Sequence, residues 1–382
     1  MKKLSFLMAS AIAVFAAVSC GGGAKEEAAF LKPDSPEMTL MNSVGLTVDS
    51  LMTIVKGDSL TETEFKALML ANTKVKFDSA EYRMCDYVTV ETAEKIFRQH
   101  PRPANFNEFA TEVLQCGNDQ VVAGTIYTIG KVFYDDDLSL VPQVIEAAKT
   151  GNYSKYAAIE VLANVEMPEV SAFMKSVSSE KDEVILKKLA NELNGKWAFA
   201  DETVAIEVAK VLLLSDLSNV QETAAFKGCD LDSDELLPIF EEVLSKQCKG
   251  TVHMYVLNGL KAMWYGRYNA DKNNPKAYEI ALNYFKKTPR SEEMPAFSTV
   301  GTFFEVKDEE WMSSSEYFDK AEIVKVMKDV ALDVNAGWLV RVDAVKVINQ
   351  FEPSAVSEVK SAIQAKESNS KTDLIINAIN KL

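Results

Sequence analysis

Few residues in this chain have the types and spacing that chemistry needs, and each such group also has a plainer reading. Asp230-Leu231-Asp232-Ser233-Asp234 places side-chain oxygens at alternate positions, and Glu241 stands twelfth from Asp230. That is the ligand spacing of a calcium loop. Glu235, however, occupies the sixth position, where such a loop needs glycine, and residues 235–244 read as a helix that Ser233 or Asp234 would cap. Asp230, Asp232, Asp234 and Glu241 are therefore only a weak metal candidate, and neither a metal nor a cofactor is expected. Asp135-Asp136-Asp137 reads as a solvated loop between helices rather than a cation site.

Groups for acid–base or nucleophilic work are equally sparse. The chain has two histidines. His253 sits among Val252, Met254, Tyr255 and Val256 and reads as a core histidine. His100 precedes Pro101 at a helix end, where a cation suits the helix dipole. No GxSxG elbow is present, and no CxxC or Cys/His cluster has zinc spacing. Asp271 and Glu279, near Trp264, are the carboxylate pair that a glycan-cleaving enzyme would use. Beyond Cys20 there are four cysteines, Cys85, Cys116, Cys229 and Cys248, and three disulfide pairings are open. Cys229 and Cys248 flank a predicted helix that holds its ends beyond disulfide reach, so the four read as small buried hydrophobes.

The densest aromatic cluster is Tyr255, Trp264, Tyr265, Arg267, Tyr268, Tyr278 and Tyr284. Tyrosine, tryptophan and arginine dominate binding hot spots. Tyr255, Trp264, Tyr265, Arg267 and Tyr268 are accordingly the candidate partner-binding residues, able to stack on a peptide or a sugar. The plainer reading is that they fill the gap between neighbouring structural repeats.

The elements that must position these residues begin with the N-terminus. Lys2 and Lys3 precede an apolar run at 4–18, followed by Ala17-Val18-Ser19-Cys20. The run is too short and wrongly flanked for a stable membrane span and reads as a secretory signal, residues 1–19. Its end resembles the lipobox of bacterial lipoproteins. That resemblance implies cleavage before Cys20, lipidation of Cys20, and attachment to the membrane through this N-terminal lipid. It points to an outer-membrane lipoprotein, periplasmic or surface-exposed. Residues 20–36, from Gly21-Gly22-Gly23 to the two prolines Pro33 and Pro36, read as a flexible tether. Within it, Lys25-Glu26-Glu27 resembles the basic-then-acidic signal of surface-displayed Bacteroidetes lipoproteins.

The 382 residues carry a formal net charge of −15, and loss of Lys2 and Lys3 with the signal takes it to −17. Such a surface repels phosphate backbones, which excludes nucleic acid as an expected partner. A hydrophobic share of 47% excludes disorder along the whole chain.

Residues 37–117 read as irregular helices, at 61–71, 89–99 and 105–114, with Thr61 and Glu64 matching a capping box. From residue 118 the pattern is regular. Helices are expected at 121–133, at 140–148 with Ser139 as cap, and at 154–165, 168–177 and 184–193, the last closed by Asn194-Gly195. Ile129-Gly130-Lys131-Val132 recurs 33 residues on as Leu162-Ala163-Asn164-Val165, and about 27 later as Leu189-Ala190-Asn191-Glu192. A period near 30 residues built from helix pairs marks an α-solenoid.

The pattern returns at Leu237-Pro238-Ile239-Phe240-Glu241, with a partner helix at 252–263. It returns again as pairs 321–332 with 338–350 and 353–365 with 373–382. Val340-Arg341-Val342-Asp343-Ala344-Val345 resembles the start of the second helix of HEAT repeats. This similarity is best over 118–195 and 321–382 and implies a curved stack of antiparallel helix pairs, with no activity attached. Two stretches depart from it, the polar loop 269–274 and an irregular insertion around 290–315.

The expected fold is therefore all-α, an α-solenoid of antiparallel HEAT-like helix pairs over residues 118–382. The expected function is a lipid-anchored scaffold or binding protein of the bacterial cell envelope that engages another envelope protein along its concave face. The alternative is a glycan- or peptidoglycan-active enzyme on an α/α toroid.

Overall fold

The computed structural model describes residues 28–133, 138–149, 151–193, 199–266, 270–287, 304, 306 and 308–382. Cys20, Asp135–137, Asn194-Gly195, Arg267, Tyr268 and most of 290–307 lie outside the described residues. The described residues form twenty α-helices, and the chain divides between Leu162 and Ala163 into two compact units. No described helix is long and apolar enough to cross a membrane.

The first unit holds α1 (Pro36–Asn42), α2 (Val48–Met52), α3 (Glu62–Leu70), α4 (Val88–Gln99), α5 (Phe106–Leu114), α6 (Asp119–Phe133), α7 (Val141–Ala147) and α8 (Asn152–Leu162). Here α1 packs on α3, α3 on α5 and α5 on α7, while α2 packs on α4, α4 on α6 and α6 on α8. Contacts between every second helix produce two rows, and chain neighbours such as α5 and α6 face each other across them. Stacked helix hairpins give this arrangement.

The second unit repeats the scheme. It holds α9 (Pro168–Val177), α10 (Glu183–Asn191), α11 (Glu202–Leu213), α12 (Ser218–Gly228), α13 (Leu237–Ser245), α14 (Gly250–Trp264), α15 (Pro275–Lys286), α16 (Glu309–Ser314), α17 (Lys320–Leu332), α18 (Trp338–Phe351), α19 (Val356–Lys366) and α20 (Ser370–Ile379). The odd row runs continuously from α9 to α19, and the even row joins α10 to α12, α12 to α14, and α18 to α20.

Polar ties between equivalent positions of successive hairpins measure the period directly. Asn107 donates to Ser139, Tyr127 to Glu160 and Ser171 to Asp201, and the Asp119 carboxylate accepts the Tyr153 and Ser154 backbone N–H groups. Asn219 donates to Glu183, Lys249 to Asn219 and Lys286 to Glu322. All of these partners lie 30 to 36 residues apart. The spacing lengthens to 40 residues where Asp232 and Asp234 meet Lys272 and Asn274, across the hairpin that contains α14.

The helices start where sequence chemistry dictates. The Thr61–Glu64 capping box forms, with the Glu64 carboxylate accepting the Thr61 N–H at 2.9 Å. Such caps are worth about 1 kcal/mol each. Ser139 is not the cap of α7. Leu140 stands at that position without a side-chain bond, and the Ser139 hydroxyl accepts from Asn107 at 2.8 Å instead. Residues 36–52 form two short helices separated around Gly45. The irregular region also contains a small antiparallel hairpin, β1 (Phe77–Asp78) with β2 (Arg83–Met84), which packs against α8. The tether is packed from Ala28 onward. Phe30 is buried, the Lys66 ammonium lies 5.3 Å from its ring centroid, and the Ser35 hydroxyl donates to its carbonyl.

The stretch at 308–318, whose part up to 315 was read from sequence as belonging to an irregular insertion, carries α16. It touches both neighbours in the even row. Trp311 packs on Trp264 and Tyr265 of α14, Phe318 packs on Phe351 of α18, and Gln350 of α18 donates to the Val306 carbonyl. Helix α18, which carries the HEAT-like run, is buried on nearly every side, Arg341 included. The Arg341 Nε–H donates to the Ala331 carbonyl in the last turn of α17, and its guanidinium pairs with Glu367.

Candidate functional site

Helix α14 positions the aromatic residues that the sequence singled out. Val252, Val256, Leu257, Leu260 and Met263 turn its apolar side into the core. Gly259 lets the helix approach α12 closely, since a Cβ there would meet the Cys229 carbonyl oxygen at 3.0 Å. Thr251, Tyr255, Asn258, Ala262 and Tyr265 follow one another at intervals of four, three, four and three. That spacing places them on a single stripe of a 3.6-residue helix. All five are exposed or half-buried.

Trp264 lies off this stripe and is fully buried. Its ring stacks on Phe318 at 6.0 Å and contacts Tyr278 at 5.3 Å and Trp311 at 5.5 Å. The Tyr317 hydroxyl donates to the Trp264 carbonyl at 2.9 Å, and the Trp311 indole N–H donates to the Lys272 carbonyl at 3.2 Å. These aromatics join α14, α15 and α16. Trp264 thus fills the gap between repeats and presents no face for stacking.

Tyr265 is half-buried at the edge of the same cluster, 4.9 Å from Trp311, with the Lys261 ammonium 5.9 Å from its ring centroid. Tyr255 lies nearly three turns back along the stripe and packs at 4.9 Å against Phe226 of α12. Phe226 is 50% exposed, and the Lys227 ammonium lies 5.2 Å from its ring centroid. Phe226 was not among the residues singled out from sequence. Its signal was available: Val220, Gln221, Ala224, Ala225 and Gly228 make the buried side of α12 and leave a phenylalanine outside it. Phe226, Tyr255 and Lys227 thus meet between α12 and α14, and Tyr265 with Lys261 lies further along the same stripe of α14.

The other candidates resolve into structural roles. Asp232 is paired with Lys272 at 2.5 Å, Asp234 accepts from Asn274 at 2.6 Å, and Ser233 accepts the Glu235 N–H. The acidic run is a helix start tied to the next repeat. Glu241 is exposed, and Asp230 accepts from the Cys229 thiol at 3.4 Å. Among the described residues no group of three or more His, Cys, Asp or Glu is gathered for a metal. Asp271 and Glu279 are both exposed, and Glu279 pairs with Lys276 at 3.2 Å. These are the surroundings of ordinary surface carboxylates rather than of a buried general acid.

His253 has both ring nitrogens occupied, Nδ1 at 3.0 Å from the Tyr284 hydroxyl and Nε2 at 3.2 Å from the Lys246 carbonyl. Burial pushes its pKa below the usual histidine range. His100 lies 3.1 Å from the Asp58 carbonyl. The four cysteines are free thiols: Cys116 and Cys229 are buried, Cys248 is half-buried and Cys85 is exposed.

In the first unit, a groove of about 590 Å³ lies between residues 28–37 and the pair Lys66 and Glu112. Its buried cation, Lys66, is neutralised by Glu62 and Glu112 at 2.5 Å each. No protein-family model matches the chain, and no curated protein matches its sequence.

Proposed function

We propose that this chain is a lipid-anchored, HEAT-like helical-repeat binding protein of the bacterial cell envelope. In this reading it is an outer-membrane lipoprotein held through Cys20, and it docks a segment of another envelope protein where Phe226 of α12 and Tyr255 of α14 meet in its second unit. One observation carries the reading. Phe226, exposed on α12, meets the half-buried Tyr255 of α14, while the neighbouring aromatics, Trp264 foremost, are buried. Aromatic side chains held by a rigid scaffold bury large area at low entropic cost, which is what hot spots require. The signal-like N-terminus and the run ending at Cys20 support the anchor. The glycan-cleaving alternative has no observation in its favour, given the exposed positions of Asp271 and Glu279.

The test is chemical crosslinking in native membranes followed by capture through a C-terminal tag. The expected result is one dominant envelope protein, lost from the Phe226→Ala/Tyr255→Ala double variant and retained by Val211→Ala, an equally exposed position on α11 of the other row. Capture that is indifferent to both substitutions would refute docking at this face.

A further inference from the structure

Residues 28–35 lie on the first unit as a strap held at two side chains. Within residues 28–36 only Phe30 and Ser35 are buried. The Phe30 ring centroid lies 5.3 Å from the Lys66 ammonium of α3, which Glu62 of α3 and Glu112 of α5 hold at 2.5 Å each. The Ser35 hydroxyl donates to the Phe30 carbonyl at 2.9 Å and accepts the Met38 N–H at 3.1 Å, which caps α1. The backbone bonds of the strap are local: the Leu31 N–H donates to the Ala28 carbonyl, Lys32 to Ala29 and Ser35 to Lys32. Phe30 thus ties the strap to α3 and, through the Lys66–Glu112 pair, to α5.

This attachment is close to balance. A groove of about 590 Å³ remains between residues 28–37 and Lys66, Glu112 and Gln115, so the strap is seated over incompletely filled space. Burial of one phenylalanine favours the docked strap by about ten- to hundredfold. Ordering the backbone of residues 28–35 works against it. Loss of the Phe30 ring therefore tips the strap toward release, while α1 keeps its Ser35 cap and its Pro36 start.

The place of the strap in the chain gives release a consequence. Ala28 stands eight residues after Cys20, and Pro36 sixteen. An extended chain spans at most about 3.3–3.6 Å per residue. A docked strap therefore keeps the attachment point of the first unit within about 26–29 Å of Cys20, and a released one within about 53–58 Å. We propose that Phe30 is a latch that sets the working distance between the lipid anchor and the first unit. Docked, it holds that unit near the bilayer; released, it doubles the reach. This inference rests on the lipid-anchor reading above and adds a conformational device to it.

The test uses the full lipidated chain in phosphatidylcholine vesicles with an acceptor dye on their headgroups. The donor dye is on the exposed Cys85 thiol, in a Cys248→Ser background. Energy transfer then reads the height of the first unit above the bilayer. Phe30→Ala is expected to lower the transfer, and Phe30→Leu, which still fills the site, to keep it at the native level. Eight alternating Gly and Ser residues inserted between Ala24 and Lys25 add the same length with the strap docked. They should lower the transfer as much as Phe30→Ala does. In the unsubstituted chain, hydrogen exchange should open residues 28–35 well before α3. Native transfer in Phe30→Ala, whatever the insertion does, would overturn the latch and leave the anchor standing. So would exchange of residues 28–35 only together with α3, a measurement that needs no variant to fold. Transfer no higher than that of Cys20→Ser would overturn the anchor and the latch with it.

Discussion

Gly124→Ala is a demanding perturbation of the repeat scheme, because the residue sits where three elements meet. Gly124 lies in α6, and a Cβ added there would stand 2.2 Å from the Asn72 Cγ, 2.3 Å from its Nδ2 and 2.4 Å from its Oδ1. Asn72 is fully buried and fixed on both sides. Its Nδ2–H donates to the Met69 carbonyl at 2.9 Å, and its Oδ1 accepts from the Thr89 hydroxyl of α4 at 2.6 Å. The amide cannot withdraw without breaking these bonds. Overpacking a rigid core costs about 1–3 kcal/mol, and each buried polar group left unpaired costs about 1–3 kcal/mol more. Alanine returns only about 1 kcal/mol through its better helix propensity.

The net expectation is a loss of about 1–5 kcal/mol, read as a lowered urea midpoint by circular dichroism at unchanged slope. The double variant Asn72→Ala/Gly124→Ala should be less destabilised than the sum of the singles, because the clash partner is gone. A neutral or stabilising Gly124→Ala would mean that propensity alone governs this position, and the packing argument would fail.

Further expectations follow from the same contacts. Trp264→Ala should destabilise the chain by about 3–5 kcal/mol as a buried aromatic truncation, whereas Phe226→Ala should change stability by less than about 1 kcal/mol. Thermal melts of the two variants separate core from surface, and equal losses would contradict the assignment. His253 has a folded pKa below its unfolded value near 6.5. Its contribution to stability is therefore complete above pH 6.5 and declines as the pH falls below it, and His253→Gln should flatten the urea-midpoint profile between pH 6.5 and 5.

Asp343 runs the other way. It is 1% exposed, and burial pushes its pKa up to about 6 from 3.8. Its ionisation opposes folding increasingly as pH rises from 3.8 to about 6. Asp343→Asn should accordingly raise stability at pH 7, by at most about 3 kcal/mol, and leave it unchanged near pH 3.5. For the native chain, maleimide labelling followed by mass spectrometry should mark Cys85 within minutes and Cys116 and Cys229 only after denaturation. Rapid labelling of Cys116 would contradict its buried position and its raised thiol pKa.

Much of the architecture was legible because helix hairpins write their period into the sequence. The Ile129, Leu162 and Leu189 copies lie near the ends of α6, α8 and α10, and the expected helix at 168–177 coincides with α9. Caps were legible where a side chain serves the adjacent backbone, as at Thr61. They were not where the side chain serves another repeat, as at Ser139, because Asn107 is distant in sequence. Helix α16 had a signal that poor periodicity masked: Asp308 accepts the Trp311 N–H, with Glu309 and Glu310 in the first turn. The hairpin at 77–84 is too short to show alternation, and Tyr82 enters it at φ 53°, which no hydropathy pattern announces.

The site was half legible. Of the aromatic-rich stretch, Tyr255 and Trp264 lie on α14 and Tyr278 and Tyr284 on α15, but residue types alone do not distinguish a ring that faces solvent from one that stacks on the next repeat. Tyr255 and Trp264 differ in this respect because they lie on different sides of one helix. Phe226 joins the site only through the third dimension, since its contact with Tyr255 crosses between two helices.

The measurement that bears most directly on the central claim is site-specific photocrosslinking in living cells. A photoreactive residue is placed in turn at Phe226, at Tyr255 and at Val211, the last being a 48% exposed control on the other row. The account predicts one and the same envelope protein at Phe226 and Tyr255 and none at Val211. Identical adducts at all three positions, or no adduct at Phe226 and Tyr255, would contradict it.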